Sequence, residues 1–283
     1  MKTLDLDVLS MVVAVADAGS FVRAAALVHR SQSAVSMQIK ALEQSLGKAI
    51  FERRPRSVVP TQEGLVLADY ARRMLALRDE AWASLVHPDV KGRVVIGVPD
   101  DYASSLLPPV LRKFSATYPK VEMQVIGLPS HALAPLVHEN KVDLACMTRV
   151  KGLRGERLRS EPTVWAGAPR GPAVWRERPL PIAVFAAGSV ARDNAIRALK
   201  HARIAYRTSY ESPSLLGLFS MVEAGLAVAP IARCALPEHF VELGRAHGLP
   251  ALPPLEIVLA RSPRSNRPEC DFLAEQILGE LRI

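Results

Sequence analysis

The sequence predicts an α/β protein led by a small all-α domain, and three observations carry that expectation. Over residues 5–47 apolar positions recur at helical spacing in three short stretches, punctuated by Gly19 and Ser31. Residues 61–86 hold a long helical pattern without a proline. Beyond His87-Pro88 short apolar runs alternate with helical patterns, the order expected of a mostly parallel sheet covered by helices.

In the first stretch Leu6, Leu9, Val13 and Ala16 form a stripe, and Gly19, suited to a left-handed terminus, closes the helix. Ser20 is placed to cap a second helix with Phe21, Ala24, Ala25 and Val28 inward, and Ser31 to cap a third that ends at Gly47. On the third helix Val35, Ile39, Leu42 and Leu46 share one face, while Gln32, Ser33, Ser36, Met37 and Lys40 take the other. Such a face offers donors, acceptors and a cation to base edges while its back is held in a small core. Residues 49–53 read as a strand, 54–57 as a turn and Val58-Val59 as a return strand, completing a winged helix-turn-helix over 1–60. From Arg23 to Arg56 seven basic residues stand against only Glu43 and Glu52, and Arg53, Arg54 and Arg56 crowd the hairpin tip. An arginine-bearing hairpin suits a narrow minor groove; a solubilising turn is the bland alternative.

Thr61 starts the long helix of a linker over 61–88. Leu65, Ala68, Leu75 and Trp82 fall on heptad-like positions beside a neighbouring stripe of Leu67, Ala71, Met74, Ala81 and Leu85. Two apolar seams on a protruding helix predict pairing with a second copy, with packing on its own chain as the alternative. Pairing would set two recognition helices on one duplex, at half-sites roughly 34 Å or multiples of that apart. Runs at 94–98, 121–126 and 142–147 then alternate with helices at 106–118 and 132–139. A second series has strands at 181–185, 204–206, 227–230 and 255–261, helices at 190–200 and 214–223, and a last helix from about Pro268 to Leu281. The Pro- and Gly-rich stretch 163–179 divides the two series, so two Rossmann-like lobes with a cleft at their strand ends are expected. Lobe I takes 91–162 and 264–283, lobe II 163–263.

The formal net charge is +8, which favours a polyanionic partner such as nucleic acid without naming one. Cys146, Cys234 and Cys270 lack the paired spacing of a zinc or redox site, and Cys146 in the run 142–147 reads as a buried inert thiol. The N-terminus offers Lys2 before Asp5 and Asp7 without a signal-type apolar core, and no run reaches membrane-spanning length, so a cytoplasmic location is expected. Seven scattered histidines, with no nucleophile elbow, phosphate loop or metal-ligand cluster, argue against an enzyme and predict neither cofactor nor metal.

The residues resemble the LysR-type transcriptional regulators over essentially the whole chain. The resemblance is carried by Ala24-Ala25, Ser31-Gln32, Ser36, Leu42-Glu43, Leu46-Gly47, Phe51-Glu52-Arg53 and Thr61-x-x-Gly64, in order over some sixty residues. Ser33 in place of proline, Asp79-Glu80-Ala81, Asp100-Asp101 and 222–226 look like the LrhA/HexA-like branch, whose members repress motility, surface-structure or exoenzyme genes. The resemblance implies lobes like those of type 2 periplasmic-binding proteins. It also implies a homodimer through the linker helix and a homotetramer beyond it, double-stranded operator DNA as partner, and contact with RNA polymerase. By matching positions Arg30, Ser31, Gln32, Ser33, Ser36, Met37 and Lys40 belong to the reading helix, and Arg53, Arg54 and Arg56 to the wing. Met37 replaces a polar residue common there and fits a thymine methyl instead.

The resemblance also implies a small-molecule effector between the lobes, lined by Asp100, Asp101, Tyr102, Ser104, Pro129, Ser130, Thr148, Arg149, Ser189, Tyr210, Ser212 and Val228. Two adjacent carboxylates disfavour an anion and admit a neutral or cationic ligand unless Arg149 compensates; a capping role for one aspartate is the alternative. Three other readings compete with a ligand-modulated regulator. In one, the lobes of a ligand-independent DNA-binding protein serve only oligomerisation. The others are an enzyme on the α/β lobes and a solute-binding protein, which would need export.

Overall fold

A computed structural model describes residues 4–54, 57–86 and 90–282. The chain divides into an N-terminal unit, residues 1–89, and a C-terminal unit made of nearly all the rest.

The N-terminal unit is a trihelical core with a hairpin and a long helix: α1 (Leu6–Ala18), α2 (Phe21–Leu27), α3 (Gln32–Leu46), β1 (Phe51–Arg54), β2 (Ser57–Pro60) and α4 (Gln62–Val86). The caps explain the breaks. Asp5 accepts the N–H of Asp7 at 2.7 Å, Ser31 accepts that of Ala34 at 3.2 Å, and Gly19 and Gly47 end α1 and α3 at φ 59° and 70°. Ser20 holds the N-cap position of α2 but its side chain makes no capping bond. Val12, Val15, Phe21, Ala24, Val35, Ile39, Leu42 and Ile50 form one buried core.

Three expectations shift here. The inward face of α1 is Leu9, Met11, Val12, Ala14 and Val15, leaving Val13 and Ala16 half-buried, because α1 packs against α2 and α3 on one side and α4 on another. Leu46, in the last turn of α3, is exposed. Ala68, expected in the pairing seam, is buried in this core and Ala71 is buried one turn on, whereas Leu65, Leu77 and Trp82 stand in solvent and Leu75 is half-buried. The small alanines let α4 approach α1 closely, so that stripe is an intrachain contact.

The C-terminal unit holds two sheets. The first runs through β3 (Gly92–Val98), β4 (Val121–Gly127), β5 (Leu144–Thr148), β6 (Glu156–Glu161) and β12 (Leu255–Arg261) in the order β4-β3-β5-β12-β6. β3 is parallel to β4 and β5; β12 is antiparallel to β5 and β6. The helices of this lobe are α5 (Asp100–Ser105), α6 (Leu107–Thr117), α7 (Ser130–His138) and the C-terminal α10 (Pro268–Leu281). The second lobe pairs β8 (Leu180–Phe185) with β9 (Tyr206–Ser212) in parallel, and sets β7 (Thr163–Gly167) between β10 (Ala229–Ala232) and β11 (Val241–Leu243), both antiparallel to it. A parallel bridge between Ile182 and Val228 links the two sets. α8 (Val190–His201) and α9 (Leu215–Glu223) cover this sheet.

The sheets are therefore more antiparallel than expected, and β12 belongs to the first lobe although its position in the chain suggests the second. β6 belongs to the first sheet and β7 to the second, and the chain returns to the first sheet between β11 and β12. β6 escapes a pattern reading because only Leu158 and Glu161 of its six residues are buried. β7 escapes because all five of its residues are buried, which erases the period of two. The helix expected from residue 106 begins at Leu107, after the separate short α5.

Candidate nucleic-acid interface and ligand cavity

In the N-terminal unit the outward face of α3 presents Gln32, Ser33 and Lys40 to solvent, with Met37 at 66 % exposure among them. Arg30 and Ser31 lie exposed ahead of it, Ser31 bonded to Ser33 at 3.0 Å between hydroxyl oxygens. The hairpin is fixed to this helix and to the ends of its two neighbours by the following contacts. The Glu43 carboxylate accepts the N–H groups of Ile50 and Phe51 at 2.8 and 3.2 Å. Arg53 donates to the Ser36 hydroxyl at 2.9 Å, and its guanidinium lies 5.0 Å over the Phe21 ring. The N–H of Val58 reaches the Gly19 carbonyl at 2.9 Å.

Ser36 and Arg53, both expected to face a partner, bond to each other and align wing with helix, and Arg53 stays exposed. Arg54 is exposed with a loose ion pair to Glu52 at 3.7 Å. Arg56 lies outside the described residues. At the foot of α4, Thr61 Oγ1 donates to the Ala49 carbonyl at 2.9 Å and accepts the N–H of Gly64 at 3.0 Å. Gly64 is required there, since a Cβ would lie 1.9 Å from the Ile50 carbonyl oxygen.

In the C-terminal unit a cavity of about 270 Å³ opens where the ends of β3, β4 and β5 face the end of β8 and the start of α8. Of the residues expected to line it, Asp100, Asp101, Pro129, Ser130, Thr148 and Ser189 do. Six do not. Tyr102 is fully buried, its hydroxyl 2.7 Å from Thr148 Oγ1, so it supports the wall without reaching the space. Ser104 turns back to the carbonyl of Asp100, as a helical serine without another partner does. Arg149 is drawn to Glu256, Nε to Oε2 at 2.8 Å. Tyr210 packs against a lobe II core, Ser212 is engaged with the backbone of Ser214, and Val228 is wholly inside another part of that core.

Among the lining positions that were not expected are Pro99, Gly127, His131, Phe185, Ala186, Ala191, Pro213, Ser214 and Leu255. The apolar ones carry no sequence signal of a site; Gly188 followed by Ser189 was the cue to its own loop. At Gly188, with φ 92°, a Cβ would come 3.0 Å from the His131 ring, so the two lobes close on each other at this glycine.

Asp101 is buried, and desolvation pushes its carboxyl up to about 7, with the Asp100 and Glu161 carboxylates adding to the rise and the N–H groups of Tyr102 and Asp101 opposing it. Behind it the fully buried Glu161 pairs with Arg159 and accepts the N–H of Cys234 at 2.8 Å. Burial pushes the Cys146 and Cys234 thiols up to about 12, so neither is a nucleophile at neutral pH.

A recognition helix braced against a hairpin, together with a two-lobed module around a cavity, defines a DNA-binding regulator with a ligand-binding domain. Residues 6–65 match the family model "Bacterial regulatory helix-turn-helix protein, lysR family", and residues 87–282 match "LysR substrate binding domain". The HTH-type transcriptional regulator DgdR of Burkholderia cepacia is 36% identical over 258 residues, 91% of this chain and 86% of the relative. PecT of Dickeya dadantii is 34% identical over 264 residues, 92% and 82% of the two chains. Full-length BenM shares the fold at a TM-score of 0.53 and 19% identity, covering 97% of this chain and 95% of that one. DarR of Vibrio fischeri, solved with DNA, does so at 0.56 and 14%, covering 98% and 99%. The chain belongs to the LysR family and is a DNA-binding transcriptional regulator with a substrate-binding domain. No helix among the described residues is long and apolar enough to cross a membrane.

Proposed function

We propose that this regulator reads duplex operator DNA as a two-fold dimer and that a small molecule in the inter-lobe cavity modulates that binding. Gln32, Ser33, Met37 and Lys40 face the major groove, with Arg30 at the helix start and Arg54 on the wing. Pairing runs along the solvent face of α4 through Leu65, Leu75 and Trp82; dimers join into a tetramer, contact RNA polymerase and act in the cytoplasm. The protein has no catalytic role.

The observation that carries this reading is that the Arg53–Ser36 bond aligns wing and helix while Gln32, Met37 and Lys40 stand exposed on one face. Operator titrations test it. Gln32→Ala is expected to relax preference for the operator over random duplex, whereas Arg54→Ala weakens both and lowers the salt slope by about one. Equal losses on specific and random DNA for Gln32→Ala would sink the assignment of that face.

A further inference from the structure

We propose that the inter-lobe cavity takes a small organic cation, its protonated nitrogen held by the Asp100 and Asp101 carboxylates and its apolar body against Phe185. The proposal rests on the effector reading above and names the ligand class of that site. Asp100 sits at the wall, where a Cβ on Gly127 would lie 3.3 Å from its Oδ1. Asp101 is only 9 % exposed yet lines the space, and its Oδ1 takes the N–H of Tyr102 at 3.1 Å.

No lysine or arginine is among the described residues lining the cavity. The guanidinium groups nearby are already spent. Arg149 is bound to Glu256, Arg192 donates to the Phe185 carbonyl at 2.9 Å and to Glu211, and Arg159 pairs with Glu161. An anionic ligand would meet the Asp100 carboxylate and no lysine or arginine along the wall. The Ser130 hydroxyl, which accepts the N–H of Thr148 at 3.1 Å, keeps its own proton for a ligand acceptor, so a cation that also carries an oxygen is accommodated.

Benzylamine, benzyl alcohol and benzoate share a ring and differ in charge, and calorimetry with thermal shift on the full-length protein distinguishes them. Benzylamine is expected to bind and to raise Tm while benzoate does neither. Asp101→Asn, and Asp100→Asn at an exposed position that carries little folding risk, should each weaken benzylamine at least tenfold. Ala186→Trp, which fills the cavity beside Phe185, should abolish its binding. Equal or tighter binding of benzoate or benzyl alcohol, removed by Ala186→Trp, overturns the cationic class and leaves the ligand cavity standing. Benzylamine binding that survives all three variants lies elsewhere and overturns the proposal. So does binding by none of the three probes. The effector reading fails separately if a fragment library yields no ligand whose binding Ala186→Trp removes.

Discussion

Replacing Asp101 by asparagine isolates the cost of burying a carboxylate in the cavity wall. In the unfolded chain this group has the ordinary value of 3.8; in the folded protein burial first, and the Asp100 and Glu161 carboxylates after it, hold it at about 7. Below about pH 4 both states carry the proton, and the folded protein loses nothing. Between those two values the folded state keeps a proton that the unfolded chain has released, so stability falls as pH rises. The loss is about 1.4 kcal/mol per pH unit and on the order of 4 kcal/mol once pH passes the folded value. Asparagine matches the protonated side chain in shape and does not titrate.

The variant should therefore equal the wild type near pH 4 and exceed it by several kcal/mol near pH 8. Urea unfolding at a series of pH values, followed by the fluorescence of Trp165, which is buried in the same unit, reads this difference. Parallel stability curves for the two proteins, or a wild type that gains on the variant as pH rises, would refute the burial argument.

Gly64→Ala drives a Cβ into the Ile50 carbonyl and the Thr61 bonds beside it; a loss of about 3 kcal/mol in the N-terminal unit is expected, with DNA binding abolished while the Trp165 transition stays in place. Trp82→Glu with Leu65→Glu places charge at positions 70 % and 54 % exposed, so sedimentation should show loss of the dimer with circular dichroism unchanged, and retained dimer would shift the pairing face elsewhere on the chain. Gly188→Ala forces a left-handed backbone onto alanine and pushes its Cβ against His131, costing about 1 kcal/mol or more. Adding His131→Ala should recover only the part due to the contact, which a double-mutant cycle measures; full recovery would remove the backbone from the explanation.

Legibility of the sites differed between the two units for physical reasons. The reading helix is a local object: Ser31 at its cap, Gly47 at its end and a 3.6-residue period place Gln32, Met37 and Lys40 outward whatever surrounds them. Pattern could not reveal that Ser36 would be taken by Arg53, since that bond spans seventeen residues and depends on how the hairpin folds back. The cavity is non-local throughout. Its Asp100, Ser130, Thr148 and Ser189 were implied by the family resemblance, whereas Phe185, Ala186 and Leu255 became wall only when two sheets met.

The sequence by itself determined most helices and their ends, the basic hairpin and most strand positions, because each depends on spacing and on neighbours a few residues away. Tertiary structure decided the rest. It turned Ala68 inward against α1, sent β12 back to the first sheet, buried Val228 and spent Arg149 on Glu256. These outcomes follow from packing and charge pairing between segments far apart in the chain, where burial and the nearest opposite charge outweigh any local preference.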